Sequence, residues 1–430
     1  GGGLFRGTMS IIDVPDEKTA GAYSKAVYEN TPYSKENELI AEGEEGNPIP
    51  RKVGDPSPIK YVFYVIKENR TYDQVFGDMP EGNGDPDLVL FGENVTPNHH
   101  AIAREFVLLD NFYVNGEVSA DGHNWTMGAY ATDYLEKNWP TSYGGRGGSY
   151  PGEGAREVAN NKVFFWDLCK QHGVSYRTYG EFVSGGKPTL EVLKDNYCPY
   201  FTEWDESVRD TVRFYQWKRD FDSLLAINAV PQFNTIRFIN DHTQGLSLGK
   251  PTPFAHVADN DLALGLFVEY LSHSPIWNET LIISVEDDAQ NGPDHVDAHR
   301  SIALLAGGFV KQGFVDHTPY TTTSLLRTME LVLGLPPMTQ YDAAANSLWR
   351  CFNTTPGHPP YKCRPANIDL NEKNTDKNKW QALSETFDFS VEDRVNDFDF
   401  NEVIWRAVKG LDSPCPPSVR AAFLTTEAED

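Results

Sequence analysis

The stretch Thr280 to Ala306, TLIISVEDDAQNGPDHVDAHRSIALLA, constrains this chain more than any other. It opens with Leu281, Ile282, Ile283 and Val285, a run of β-branched and large apolar residues that reads as a central strand covered on both faces. Glu286, Asp287, Asp288, Asp294, His295, Asp297 and His299 follow within 14 residues, and Ile302 to Ala306 then starts a second strand. Open α/β sheets build their sites at the carboxyl ends of such strands. Carboxylate oxygens and neutral imidazoles can share one divalent cation, so acids crowded beside two histidines point to metal ligation. The alternative is a solvated acidic loop on an acidic protein.

Three more apolar strands are expected to end in polar groups. Tyr61 to Ile66 (YVFYVI) runs into Lys67-Glu68-Asn69-Arg70-Thr71-Tyr72-Asp73, where Asn69 or Thr71 can also cap a following helix. Phe106 to Asn111 precedes Ser119, Asp121, Gly122 and His123, at the start of a helix expected over Asn124 to Lys137. A helix start offers free N–H groups to an anion, although His123 also fits a capping or packed role. Thr235 to Asn240 leads to Asp241-His242-Thr243. Four strands with polar ends, alternating with helices, predict an α/β sandwich with a composite metal site along one sheet edge.

Composition narrows the partners. With 62 acids against 37 bases in 430 residues, the formal charge of −25 argues against a nucleic-acid footprint or an anionic membrane surface. No apolar run reaches the roughly 18 residues of a membrane span. Cys351 and Cys363 bracket a Pro/Gly-rich loop that a disulfide could close, Cys169 and Cys198 form a second candidate pair, and Cys415 is left over. Buried or free thiols are the alternative; an oxidising, periplasmic or extracellular setting is the expectation that goes with the bridges.

Residues 1–57, rich in turn formers, read as an N-terminal arm with a short strand at Gly7 to Pro15 and a helix at Glu17 to Tyr28. Residues 58–345 form the expected core, with an aromatic insertion near 199–222, and 346–430 a C-terminal extension packed on it. Tyr143 to Gly154 is a glycine-rich surface or lid loop without P-loop spacing.

KENRTYDQVFGD, a glycine-histidine turn opening a helix, TLIISVEDD with DHV beyond it, and YTTTSLLRTMELVLGL together resemble the phosphoesterase family. That family holds bacterial phospholipases C and acid phosphatases within the alkaline phosphatase superfamily. The resemblance covers roughly residues 58–340 and implies an alkaline-phosphatase-like, mostly parallel central sheet with helices on both faces. It also implies that Glu68, Asn69, Asp287 and Asp288 hold the catalytic metal. Asp241, His295, His299 and His242 are the nearest matches for a second metal site. The family's nucleophile position falls on Gly122, with His123 and Asn124 beside it and Ser119 and Thr126 the neighbouring hydroxyls. This placement favours attack by a metal-bound hydroxide. GTMSIIDVP resembles the closing blade strand of YncE-like β-propellers, which precede such domains in some bacterial proteins.

The expected activity is therefore metal-dependent hydrolysis of a phosphate-ester small molecule or phospholipid headgroup. The expected cofactors are one or two divalent ions: the oxygen-rich set suits Ca²⁺, Mn²⁺ or Mg²⁺, and the histidines shift the preference towards Zn²⁺, Mn²⁺ or iron. Two nearby sites with different ligand sets are preferred. The other reading is a non-catalytic surface or scaffold protein that keeps the fold and its metals.

Overall fold

Seven strands form the central sheet: β1 (Tyr61–Lys67), β2 (Val107–Leu109), β3 (Tyr176–Tyr179), β4 (Phe233–Arg237), β5 (Thr280–Glu286), β6 (Ala303–Gly307) and β7 (Phe314–Asp316). They lie in the order β7-β2-β6-β5-β1-β4-β3. The computed structural model describes residues 9–144, 146–147, 153–290, 292–390 and 394–419. Every pairing is parallel except those of β6, which runs antiparallel to both β5 and β2. The expectation of an α/β fold around a mostly parallel sheet is thus met. The antiparallel turn at β6 has a simple cause. Among its described residues the loop from Asp287 to Ile302 carries no helix, and a parallel return needs a crossover of a dozen or more residues that usually includes one.

Six of the helices are α1 (Glu17–Asn30), α2 (Ser119–Gly128), α3 (Asp210–Ala226), α4 (Pro253–Ser272), α5 (Thr322–Leu333) and α6 (Asp397–Lys409). Their ends follow sequence chemistry. The Thr252 hydroxyl accepts from Ala255 N–H and Pro253 fills the first helical position, which sets the start of α4. Gly334, at φ 72°, ends α5 in the left-handed conformation.

Two expectations are corrected. The helix expected over Asn124 to Lys137 begins earlier, at Ser119, and breaks at Ala129, which takes φ 60°; a separate helix then spans Asp133–Ser142. No strand forms at residues 9–15, where Met9, Ile11, Ile12 and Val14 are exposed. Gly7 and Thr8, which open that stretch, lie outside the described residues, as does much of the glycine-rich loop at 143–154.

The α1 helix buries none of its residues, whereas the chain after it is clasped to the core. The Arg327 guanidinium on α5 donates to the carbonyls of Glu38 (2.9 Å) and Ile40 (3.2 Å). Residues of the C-terminal extension, including Phe400, Ile404 and Trp405 on α6, pack with Leu90, Phe91 and Val257 in a second apolar cluster. The five cysteines are free thiols. Among the described residues no helix is long and apolar enough to cross a membrane.

Candidate active site

The site follows from strand register. Lys67 at the end of β1 pairs with Glu286 at the end of parallel β5, so Glu68-Asn69 emerge beside Asp287-Asp288 at the same sheet edge. Asn69 takes φ 67°, a left-handed conformation that asparagine tolerates better than most residues. The two strand ends are tied underneath by an ion pair. The buried Lys67 ammonium lies 2.6 Å from Glu286 and 2.7 Å from Asp241.

The start of α2 closes this edge. Its first residue, Ser119, donates its hydroxyl to Asp288 Oδ2 at 2.8 Å and lies 3.2 Å from Asn69 Oδ1. The Asp121 carboxylate accepts from the N–H groups of Glu117 and Val118 and fixes the turn into the helix. Gly122 sits one turn deeper. A Cβ there would meet the Asp287 carbonyl oxygen at 2.7 Å, so the glycine permits the helix to approach the end of β5. Gly122 is a packing position, and the hydroxyl that faces the acids belongs to Ser119.

The acids are crowded. Burial raises the Asp287 carboxyl well above its ordinary range, and the charges of Glu68 and Asp288 raise it further. Burial raises Asp288 too, against the Ser119 hydrogen bond. Glu68 goes the other way: burial pushes it up, but the Arg237 guanidinium together with the His123 hydrogen bond and the charges of His123 and His242 outweighs that and holds it well below the usual range. Glu68 Oε2 and Asp287 Oδ2 are buried without a hydrogen-bond partner. The Asn69 amide can turn its nitrogen to within 3.0 Å of Asp287 Oδ1, or its oxygen towards the same acids. With the oxygen inward, the Asn69 amide oxygen faces the Asp287 and Asp288 carboxylates, and Asp287 also converges with Glu68 and His123; carboxylate and amide oxygens are hard donors of the kind that suit a divalent cation. The orphaned oxygens and the like-charge crowding fit such an ion.

The other expected residues fall elsewhere. Asp241 is held by Lys67, by Glu68 N–H at 3.2 Å and by Asn260 at 3.2 Å. His295 Nδ1 lies 2.6 Å from Asp73, in a cluster with Asp294 where Arg300 already supplies a cation. His299 pairs with Asp297 (2.7 Å) and Glu117 (3.3 Å), which outweigh its burial and lift it to about 9. Among the described residues two groups have converging ligand atoms, Glu68-His123-Asp287 and Asp73-Asp294-His295; Asp241 and His299 belong to neither. Thr126 donates to the His123 carbonyl at 3.0 Å, and Asn124 donates to Ala120 O, so both serve their own helix.

His242 does reach the site. With Asn69, Ser119 and Asp288 it lines a narrow cavity whose rim carries Trp204, Phe389 and Arg394. Its Nδ1 lies 2.9 Å from Glu206, and that carboxylate outweighs burial and raises the ring above its ordinary value. Sequence reasoning missed Glu206, Arg237, Glu181 and the C-terminal rim. Glu181 follows β3 as Glu68 follows β1, so the strand-end rule had the reach to find it.

A profile of the phosphoesterase family matches residues 85–336, which include Ser119, Asp287 and Asp288. An acid phosphatase of Aspergillus fumigatus is 23% identical over 288 residues, 63% of this chain and 58% of that protein. The chain thus spans under two thirds of that relative's length. A Vibrio parahaemolyticus protein of the alkaline phosphatase superfamily aligns over 73% of this chain and 76% of its own, at 17% identity and TM-score 0.46. Human ectonucleotide pyrophosphatase/phosphodiesterase 5 aligns over 68% of this chain and 98% of its own, at 12% identity and TM-score 0.42.

Proposed function

Because this chain belongs to the phosphoesterase family, we propose that it is a metal-dependent hydrolase of phosphate esters in which Ser119 is the nucleophile. The observation that carries the reading is the Ser119 hydroxyl, 2.8 Å from Asp288 at the first turn of α2.

Glu68 through Oε2, the Asn69 amide oxygen, Asp287 and Asp288 would hold the metal. Bound there, a divalent cation would lower the pKa of the Ser119 hydroxyl and offset charge on the phosphoryl oxygens. Asp288 accepts the Ser119 proton as Oγ attacks phosphorus. The Tyr143 hydroxyl, 3.1 Å from Ala120 N–H and on the cavity wall, together with the start of α2, faces the phosphoryl oxygens. His242, whose Nδ1 lies 2.9 Å from the Glu206 carboxylate that raises it, gives a proton to the departing alkoxide as the P–O bond breaks. Water then attacks the phosphoserine and gives a proton to the neutral His242, the Oγ–P bond breaks as Asp288 returns its proton to Ser119, and inorganic phosphate leaves. Trp204 and Phe389 pack around the alcohol part of the substrate.

A chromogenic phosphate ester assayed with and without chelator tests the activity and its metal dependence. His242→Ala tests the proton donor. Its rate is expected to fall roughly 100-fold for phenyl phosphate, whose leaving group needs the proton, and far less for p-nitrophenyl phosphate. Equal losses on both substrates would remove His242 from that role.

A further inference from the structure

Arg237 is the last residue of β4, a strand buried at all five positions, and its guanidinium lies among acids. Nη2 is 2.9 Å from Glu68 Oε1 and 2.7 Å from His123 Nε2. Glu153 and Glu181 each approach the group to 3.8 Å. His123 Nε2 is also 3.6 Å from Glu68 Oε1 and 3.4 Å from Asp287 Oδ2. Glu68, His123 and Asp287 are one of the two groups whose ligand atoms all lie within 4.8 Å of one another.

The imidazole shows what this position is built for. Its Nδ1 lies 2.9 Å from Glu181, and its Nε2 faces the Arg237 guanidinium, which can only donate, so the geometry assigns the ring proton to Nδ1. A metal-binding histidine has the same arrangement, one nitrogen donating to a carboxylate and the other facing the cation. Here the cation is a guanidinium. It cannot leave by losing its proton, since arginine stays charged in proteins, and Glu68, Glu153 and Glu181 hold that charge in place. On the far side of Asp287, Ser119 and Gln290 donate to Asp288, and among the described residues no basic side chain is paired with it.

We infer that Arg237 occupies, as a built-in cation, the place where a second metal ion would sit, so that the site takes one divalent ion on the Asn69-Asp288 side. The inference rests on the metal site proposed above.

Metal content decides it. Protein loaded with Mn²⁺ or Zn²⁺ and dialysed is expected to retain one equivalent in the wild type and in Arg237→Lys, and two in Arg237→Ala. The second equivalent is expected to disappear in Arg237→Ala/His123→Ala, and guanidinium at millimolar concentration is expected to compete with it in Arg237→Ala. Two equivalents in the wild type overturn the inference, as does a single equivalent in Arg237→Ala with native near-ultraviolet dichroism. If Arg237→Ala does not fold, the wild-type and Arg237→Lys stoichiometries still decide between one ion and two. No metal in the wild type defeats the proposed metal site itself, which separates the two failures.

Discussion

Replacing Ser119 with alanine is expected to cut phosphate-ester turnover at least about 10³-fold, with bound metal unchanged. The hydroxyl sits on the first residue of α2 and touches Asn69 and Asp288, so its loss removes the attacking oxygen and leaves the carboxylates in place. Alanine suits a helix start and removes no packing of consequence, so folding is expected to be retained. Two further readouts tie the loss to chemistry. Acid quench of the wild type during turnover is expected to trap phosphate on Ser119, and a chiral phosphate ester is expected to react with overall retention, two inversions in series. Near-wild-type rates in the variant, with net inversion, would instead assign the attack to water and restore the reading suggested by Gly122.

Asp287→Asn is expected to move stability and function in opposite directions. The Asp287 carboxyl is raised in the folded protein by burial first and then by Glu68 and Asp288. The metal-free native state therefore binds this proton more tightly than the unfolded chain does. Its contribution to stability is present at low pH and is lost as pH rises through the window from the ordinary carboxylate value to the raised one. At pH 7, in chelator, the amide avoids that loss and is expected to stabilise the protein by on the order of 1–2 kcal/mol. The advantage is expected to vanish at acid pH, where wild-type Asp287 is also neutral. The same change is expected to weaken metal binding at least about 100-fold and abolish turnover at limiting metal. Thermal unfolding in chelator at pH 5 and pH 7, beside a metal titration, measures both. A variant that is less stable at pH 7 and still loads metal normally would show that Asp287 is a structural acid.

What the sequence made legible was whatever depends on runs and strand ends. YVFYVI and TLIISV are apolar on both faces, so β1 and β5 were readable as buried strands, and the acids beyond them as neighbours at one edge. Ser119 was visible only as one hydroxyl near a helix, because a shift of three residues along α2 decides whether it or residue 122 faces the metal side, and periodicity does not fix helix starts that closely. The histidines four apart in the acidic loop suggested ligands. Their actual partners, Asp73 for His295 and Glu117 for His299, come from remote loops that no spacing reveals. Arg237 was hidden for the opposite reason. Within TIRFIN it reads only as one charge in an apolar strand, and its partners Glu68, Glu153 and Glu181 come from elsewhere in the chain, where no local pattern points to them.

The pairing of Lys67 with Glu286 joins residues 219 positions apart. The two halves of the metal cage have no local precursor in the chain: neither Glu68-Asn69 nor Asp287-Asp288 presents a complete set until β1 and β5 lie side by side. Contacts of such long sequence separation form late, after most of the loop-closure cost has been met. A divalent ion held by these residues would therefore find its ligands only in the nearly finished protein. It would act as a latch on the way out, slowing unfolding while leaving the rate of folding almost untouched.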